Sequence, residues 1–144
     1  MTFLVERLAD LKRHLDHLRS ITPRVTGRAA LARDQSLQND VLFSLLMTAQ
    51  LVIDIAGELA ARRGDRFDDY TGAIRALQHD DRFQPELVSA LEVLPGFRNV
   101  LIHEYVALDF DRVLEALDRL DLVERFLSIV SRIEAGGADP SAEV

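Results

Sequence analysis

Arg98, Asn99, His103 and Tyr105 fall within eight residues, in a segment whose other members, Val100, Leu101, Ile102 and Glu104, suit a helix. Arginine is a permanent cation, histidine takes or gives a proton near neutral pH, and tyrosine offers a hydroxyl that donates, accepts or is modified. Together they are the equipment for work on a phosphate ester. Each also has a plain structural use. Arg98 can ion-pair with acidic surface, His103 can hydrogen-bond at an interface, and Tyr105 can be a core aromatic with a wet hydroxyl. The combination, set among residues that would otherwise simply be buried, favours the chemical reading.

Geometry constrains that reading. At about 100° per residue, Arg98 and Tyr105 share a helix face, whereas His103 is rotated by roughly 140° from Arg98. One continuous helix cannot aim all three together. Either the helix ends near His103 and the chain turns, or a second copy supplies the missing group across a two-fold axis.

The elements that must position these residues read as helices throughout. Leu4, Leu8, Leu11, Leu15 and Leu18 repeat at 4-3-4-3 spacing and form one apolar stripe that ends before Thr22-Pro23. A second helix carries Leu37, Val41, Leu45, Thr48, Val52 and Ile55, and Leu42, Leu46, Ala49, Ile53 and Ala56 widen its apolar face, which therefore expects several neighbours. It stops near Arg62-Arg63-Gly64, where cations suit the dipole and glycine the cap. A short third helix is expected over Tyr70 to Leu77. Pro85 suits a first helical position before Leu87, Leu91 and Leu94, and Pro95-Gly96 should break that helix just before the motif. Asp109 is placed to cap a last helix with stripe Phe110, Val113, Leu114, Leu117, Leu120, Phe126, Leu127 and Val130. The expected architecture is all-α: a compact antiparallel bundle of four to five helices, one domain over residues 1–134, with a Gly-, Ala- and Pro-containing tail over 135–144 expected to be disordered.

The chain has 144 residues and no cysteine, so disulfides, cysteine-based zinc sites and cysteine nucleophiles are excluded. No uncharged apolar run reaches a membrane span, and Glu6 and Asp10 interrupt the N-terminal segment; the expectation is a cytoplasmic protein with no membrane partner. The net charge of −7 comes from the part after Arg82. Arg7, Lys12, Arg13, Arg19, Arg24, Arg28 and Arg33, with His14 and His17, form a stretch able to face a polyanion, although charges on helix surfaces usually only solvate.

Asp54 lies in the middle of the apolar second helix. Its plain reading is a buried carboxylate paired to an arginine or a backbone donor; its functional reading is to orient Arg98 or His103. His14 and His17, and His79 beside Asp80 and Asp81, have spacings a metal might use, but without further ligands they are read as surface residues. No metal and no cofactor is expected.

Arg98, His103 and Tyr105 also spell R-x-x-x-x-H-x-Y, and the run RNVLIHEY, with Asp54 in Ala49 to Ala56 ahead of it, resembles the HEPN superfamily, in particular HepT-type toxins. Spacing and helix order agree from about Leu4 to Leu127. Gln78 to Gln84 departs from the glycine-containing turn of that group. The resemblance implies a metal-independent ribonuclease toxin acting as a homodimer on RNA, paired with a separate minimal nucleotidyltransferase antitoxin that adds AMP to Tyr105. It assigns His103 as general acid/base, Arg98 as phosphate clamp, Asn99 to orient the imidazole or hold phosphate, and Tyr105 to position RNA. Two other classes are consistent with the residues: a catalytically idle module that binds a nucleotidyltransferase, and a nucleotide-binding domain. The latter would lack any G-x-x-x-x-G-K or G-x-G-x-x-G loop.

Overall fold

A computed structural model describes residues 2–103 and 107–138; the remainder, including Glu104, Tyr105 and Val106, lie outside the described residues. Helix α1 (Thr2–Ile21) buries all five leucines of its stripe, each worth about 1.5–3 kcal/mol when removed from water. It is closed by Thr22, whose hydroxyl donates to the Leu18 carbonyl at 2.6 Å, and by Pro23 in a 3-10 turn. Helix α2 (Arg28–Arg33) leads through a single residue, Asp34, into α3 (Gln35–Arg63). The Asp34 carboxylate caps α3 by accepting from the Leu37 amide at 3.0 Å. Gly64, at φ 78°, ends it in the left-handed conformation that a side chain disfavours.

Asp69 caps α4 (Tyr70–Arg75), which continues as a 3-10 turn over Ala76–His79. The turn that follows, within the stretch Gln78 to Gln84 that departs from a glycine-containing turn, is built on Asp80. Its carboxylate accepts from the Arg82 backbone and guanidinium, and Phe83 is buried behind it. Helix α5 (Pro85–Leu91) precedes α6 (Leu94–His103), the motif helix; α7 (Phe110–Asp118), capped by Asp109, precedes α8 (Leu120–Ala138).

The all-α bundle is as expected, but the count of four to five helices is corrected to eight α-helical segments among the described residues. Two local departures add helices and a third moves a break. The connection after Gly27 winds into α2, which buries Ala30 and Leu31. The break before the motif falls at Glu92-Val93 rather than at Pro95-Gly96, because proline is tolerated in the first turn of α6, where its missing N–H bonds to nothing. The expected last helix divides at Arg119, whose backbone leaves the helical region (φ −113°, ψ 18°). Helix α8 carries on to Ala138, into the stretch read as tail, and residues 139–144 lie outside the described residues.

Helix α3 is the axis of the core and packs on α1, α4 and α6. It runs antiparallel to α1: His14 Nδ1 lies 3.2 Å from the Ser44 hydroxyl, and His17 Nε2 lies 2.7 Å from Asp40, so register rises on one helix as it falls on the other. These histidines therefore tie helices together rather than simply meeting solvent. Burial holds His14 below its ordinary pKa, with Arg13 adding to the effect, which favours the neutral ring. Length and composition alone would let α3 cross a membrane, but most of its apolar side chains face the core: 56% of its most apolar window is buried.

One polar group is out of place in that core. Thr48 is 3% exposed and its hydroxyl has no hydrogen-bond partner among the described residues. Thr48→Val is expected to stabilise the fold by about 1 kcal/mol, since an unsatisfied buried hydroxyl is replaced by a methyl group. A rise in the urea midpoint at unchanged slope would show this, and a fall would reveal an unrecognised partner.

Candidate active site

Helix α6 is amphipathic about Phe97 and Leu101, which are buried, and this turns Arg98 to the boundary between core and solvent. There it meets the outward stripe of α3. Gln50 and Asp54 sit one turn apart on that stripe, and the Gln50 amide donates to the Asp54 carboxylate at 2.8 Å. The Gln50 carbonyl oxygen in turn accepts from Arg98 Nε. Arg98 Nη1 donates to the Asn99 side-chain oxygen at 2.9 Å, and the guanidinium carbon lies 5.2 Å from the centre of the Tyr70 ring. Asp54 thus reaches Arg98 through Gln50 rather than directly.

The character of these partners matters more than their number. Arg98 is held by two neutral amide oxygens and an aromatic face, and none of the ion pairs among the described residues includes it. Its charge is oriented without being neutralised, as a phosphate clamp requires. The basic stretch near the N-terminus is different. Lys12, Arg13, Arg19, Arg24 and Arg28 each pair with a carboxylate: Asp16, Asp10, Glu124, Asp34 and Asp111 respectively. That stretch is largely self-compensated, which is the plain reading of its charge. His79 likewise lies 3.1 Å from Asp65.

His103 is the last residue of α6 and is exposed. Because α6 is helical from Leu94 through His103, the backbone of His103 lies about 7.5 Å further along the axis than that of Arg98 and on a different side of it. Asn99, expected to orient His103 or hold phosphate, instead engages Arg98. Tyr105 lies outside the described residues. Sequence reasoning assigned no role to Gln50 or Tyr70. Gln50 had a signal, a second polar residue one turn before Asp54 on a mostly apolar helix, whereas Tyr70 reaches Arg98 only through tertiary packing.

If Gln50 fixes the clamp, Gln50→Leu should let Arg98 swing and lower kcat/KM for RNA about tenfold or more, since small misplacements of a reacting group are costly. Thermal melting within a few degrees of wild type would separate this loss from unfolding.

The α-helical bundle has counterparts among solved structures. The chain superposes on a solved toxin–antitoxin structure containing AMP-PNP with a TM-score of 0.80 at 19% identity, covering 92% of this chain and 99% of that one. It superposes with a TM-score of 0.79 at 20% identity on a structure described as a tri-AMPylated Shewanella oneidensis HEPN toxin in complex with an MNT antitoxin, covering 90% and 96%. At such identities the likeness establishes a shared fold. In sequence, the "Ribonuclease HepT-like" family matches residues 11–130, and the chain belongs to that family. Two Archaeoglobus fulgidus proteins described as candidate RNases are similar to it. One is 32% identical over 89 residues, covering 61% of this chain and 67% of the relative; the other is 26% identical over 99 residues, covering 65% and 75%.

Proposed function

We propose that this chain is a metal-independent endoribonuclease, the toxin of a toxin–antitoxin pair, which works in the cytoplasm as a homodimer and is silenced when a nucleotidyltransferase antitoxin AMPylates Tyr105. The observation that carries the reading is the uncompensated guanidinium of Arg98, fixed by Gln50, Asn99 and Tyr70, on the same helix as the exposed His103.

Cleavage needs the ribose 2′-OH deprotonated, charge on the phosphorane stabilised and the leaving 5′-oxygen protonated. As the 2′-oxygen bonds to phosphorus the bond to the 5′-oxygen breaks, leaving a 2′,3′-cyclic phosphate and a 5′-hydroxyl. Arg98 stabilises the non-bridging oxygens, while His103 moves the proton. Within one protomer these side chains leave α6 in different directions, so a partner's copy is needed to complete the arrangement. Exposed apolar side chains beside the cluster favour such pairing. Ile102 lies one turn beyond Arg98, and Phe43, 57% exposed, lies two turns before Gln50 on the same face of α3.

The antitoxin assignment rests on the shared fold with a toxin described as AMPylated and bound to an MNT partner. Adenylate on Tyr105, two residues beyond His103, adds bulk and negative charge where an RNA phosphate must approach. The test is incubation of the purified chain with single-stranded RNA and identification of the product ends. Cyclic phosphate and 5′-hydroxyl ends that persist in chelator are the expected result; intact RNA under all conditions would leave the idle interaction module as the better reading.

A further inference from the structure

Tyr70 has no part in the roles assigned above except to cover one face of Arg98, yet it stands exposed beside the site. Tyr70 is 44% exposed although the Arg98 guanidinium lies over its ring. It does not sit on a loose segment. Asp69 caps α4 through the Gly72 amide at 2.7 Å. Phe67 lies over Gly57 of α3 and so close to Gly72 that a Cβ there would come within 3.3 Å of its own. The close packing at Gly57 and Gly72 fixes where α4 begins, and hence where the Tyr70 ring stands. One ring face is turned to Arg98, and a large part of the residue stays open to solvent.

A phosphate bound at the Arg98 Nη2 donor lies within one nucleotide's reach of that ring. Gln50 and Asn99 occupy Nε and Nη1, and among the described residues no acceptor engages Nη2. Nearby carboxylates do not close the space: Asp54 is bonded to Gln50 and Asp69 to the cap. We propose that Tyr70 is a substrate-binding residue whose open face stacks on the base of the nucleotide adjoining the scissile phosphate. Bases in a duplex already have both faces stacked, so single-stranded RNA is the substrate class. This assignment rests on the RNA-cleavage reading and adds a base subsite to it.

The experiment measures cleavage of a short single-stranded RNA, and of the same RNA made abasic on either side of the cut, by wild type, Tyr70→Phe, Tyr70→Trp and Tyr70→Leu. Tyr70→Phe and Tyr70→Trp should stay within about twofold of wild type, while Tyr70→Leu raises KM about tenfold, in line with the loss of one base–aromatic stack. Removing the stacked base should cost wild type a similar factor and cost Tyr70→Leu little more. A base effect undiminished in Tyr70→Leu, or Tyr70→Leu matching wild type, overturns the proposal. Should Tyr70→Leu not fold, a large loss in both aromatic variants overturns it instead. Fluorescence of 2-aminopurine placed beside the cut gives a readout independent of turnover. Quenching by wild type that Tyr70→Leu loses, with no cleavage by either, would remove the nuclease reading while leaving the stacking subsite in place; equal quenching by both would remove the subsite.

Discussion

His103→Ala is expected to lower kcat for RNA by about 10²–10⁴-fold, the range typical of a lost general acid or base, with little change in melting temperature. The two halves of that statement come from different observations. His103 is exposed at the end of α6, and no side chain among the described residues hydrogen-bonds to it, so its removal should cost the fold within about 0.5 kcal/mol. If each composite site uses Arg98 from one protomer and His103 from its partner, single mutants should complement each other. Mixing His103→Ala with Arg98→Ala would then restore roughly one intact site per mixed dimer. Activity that appears on mixing two dead proteins would be hard to obtain any other way. Its absence, with both single mutants inactive and exchange of protomers verified, would place both side chains in one protomer's site and remove the argument for a shared active centre.

How much of this was legible beforehand depends on which kind of signal each residue leaves. The α1 stripe, the apolar width of α3 and the caps at Gly64 and Asp109 are local patterns, repeated every turn or fixed within four residues, and they appear in the structure where the sequence puts them. Breaks between helices are less legible. Pro95 marks a helix start as readily as an end, and nothing in Asp118-Arg119-Leu120 distinguishes a kink from a continuous turn. Within the site, Arg98 and His103 were visible because their spacing is itself the motif, and Asp54 because a charge in an apolar helix demands a partner. The identity of that partner was not readable from spacing. An amide at Gln50 relays between Asp54 and Arg98, and two residues 48 positions apart meet only because α3 and α6 pack. Tyr70 is the extreme case, since α4 brings it to Arg98 with no pattern along the chain to announce it.

Arg98→Lys is the sharper test of the clamp, and it should fail to rescue. Arg98→Ala removes both the charge and its hydrogen bonds, and a fall of about 10²–10³-fold in kcat/KM is expected from the lost transition-state stabilisation. Lysine restores the charge, so an active site needing only a positive potential would recover most of the rate. The arrangement asks for more than charge. One planar group donates from Nε to Gln50, from Nη1 to Asn99, lies against Tyr70, and still has Nη2 for phosphate. An ammonium on a flexible stem cannot hold those positions and meet a phosphate at once. Arg98→Lys should therefore stay at least tenfold below wild type, while retaining a salt dependence of binding steeper than that of Arg98→Ala by about one phosphate contact. Equal rates for arginine and lysine would mean that the Gln50–Asp54 relay and the Tyr70 face do not act through orientation. In that case the polar cluster on α3 would be an arrangement that stabilises the bundle, and the phosphate would need only a positive charge at position 98.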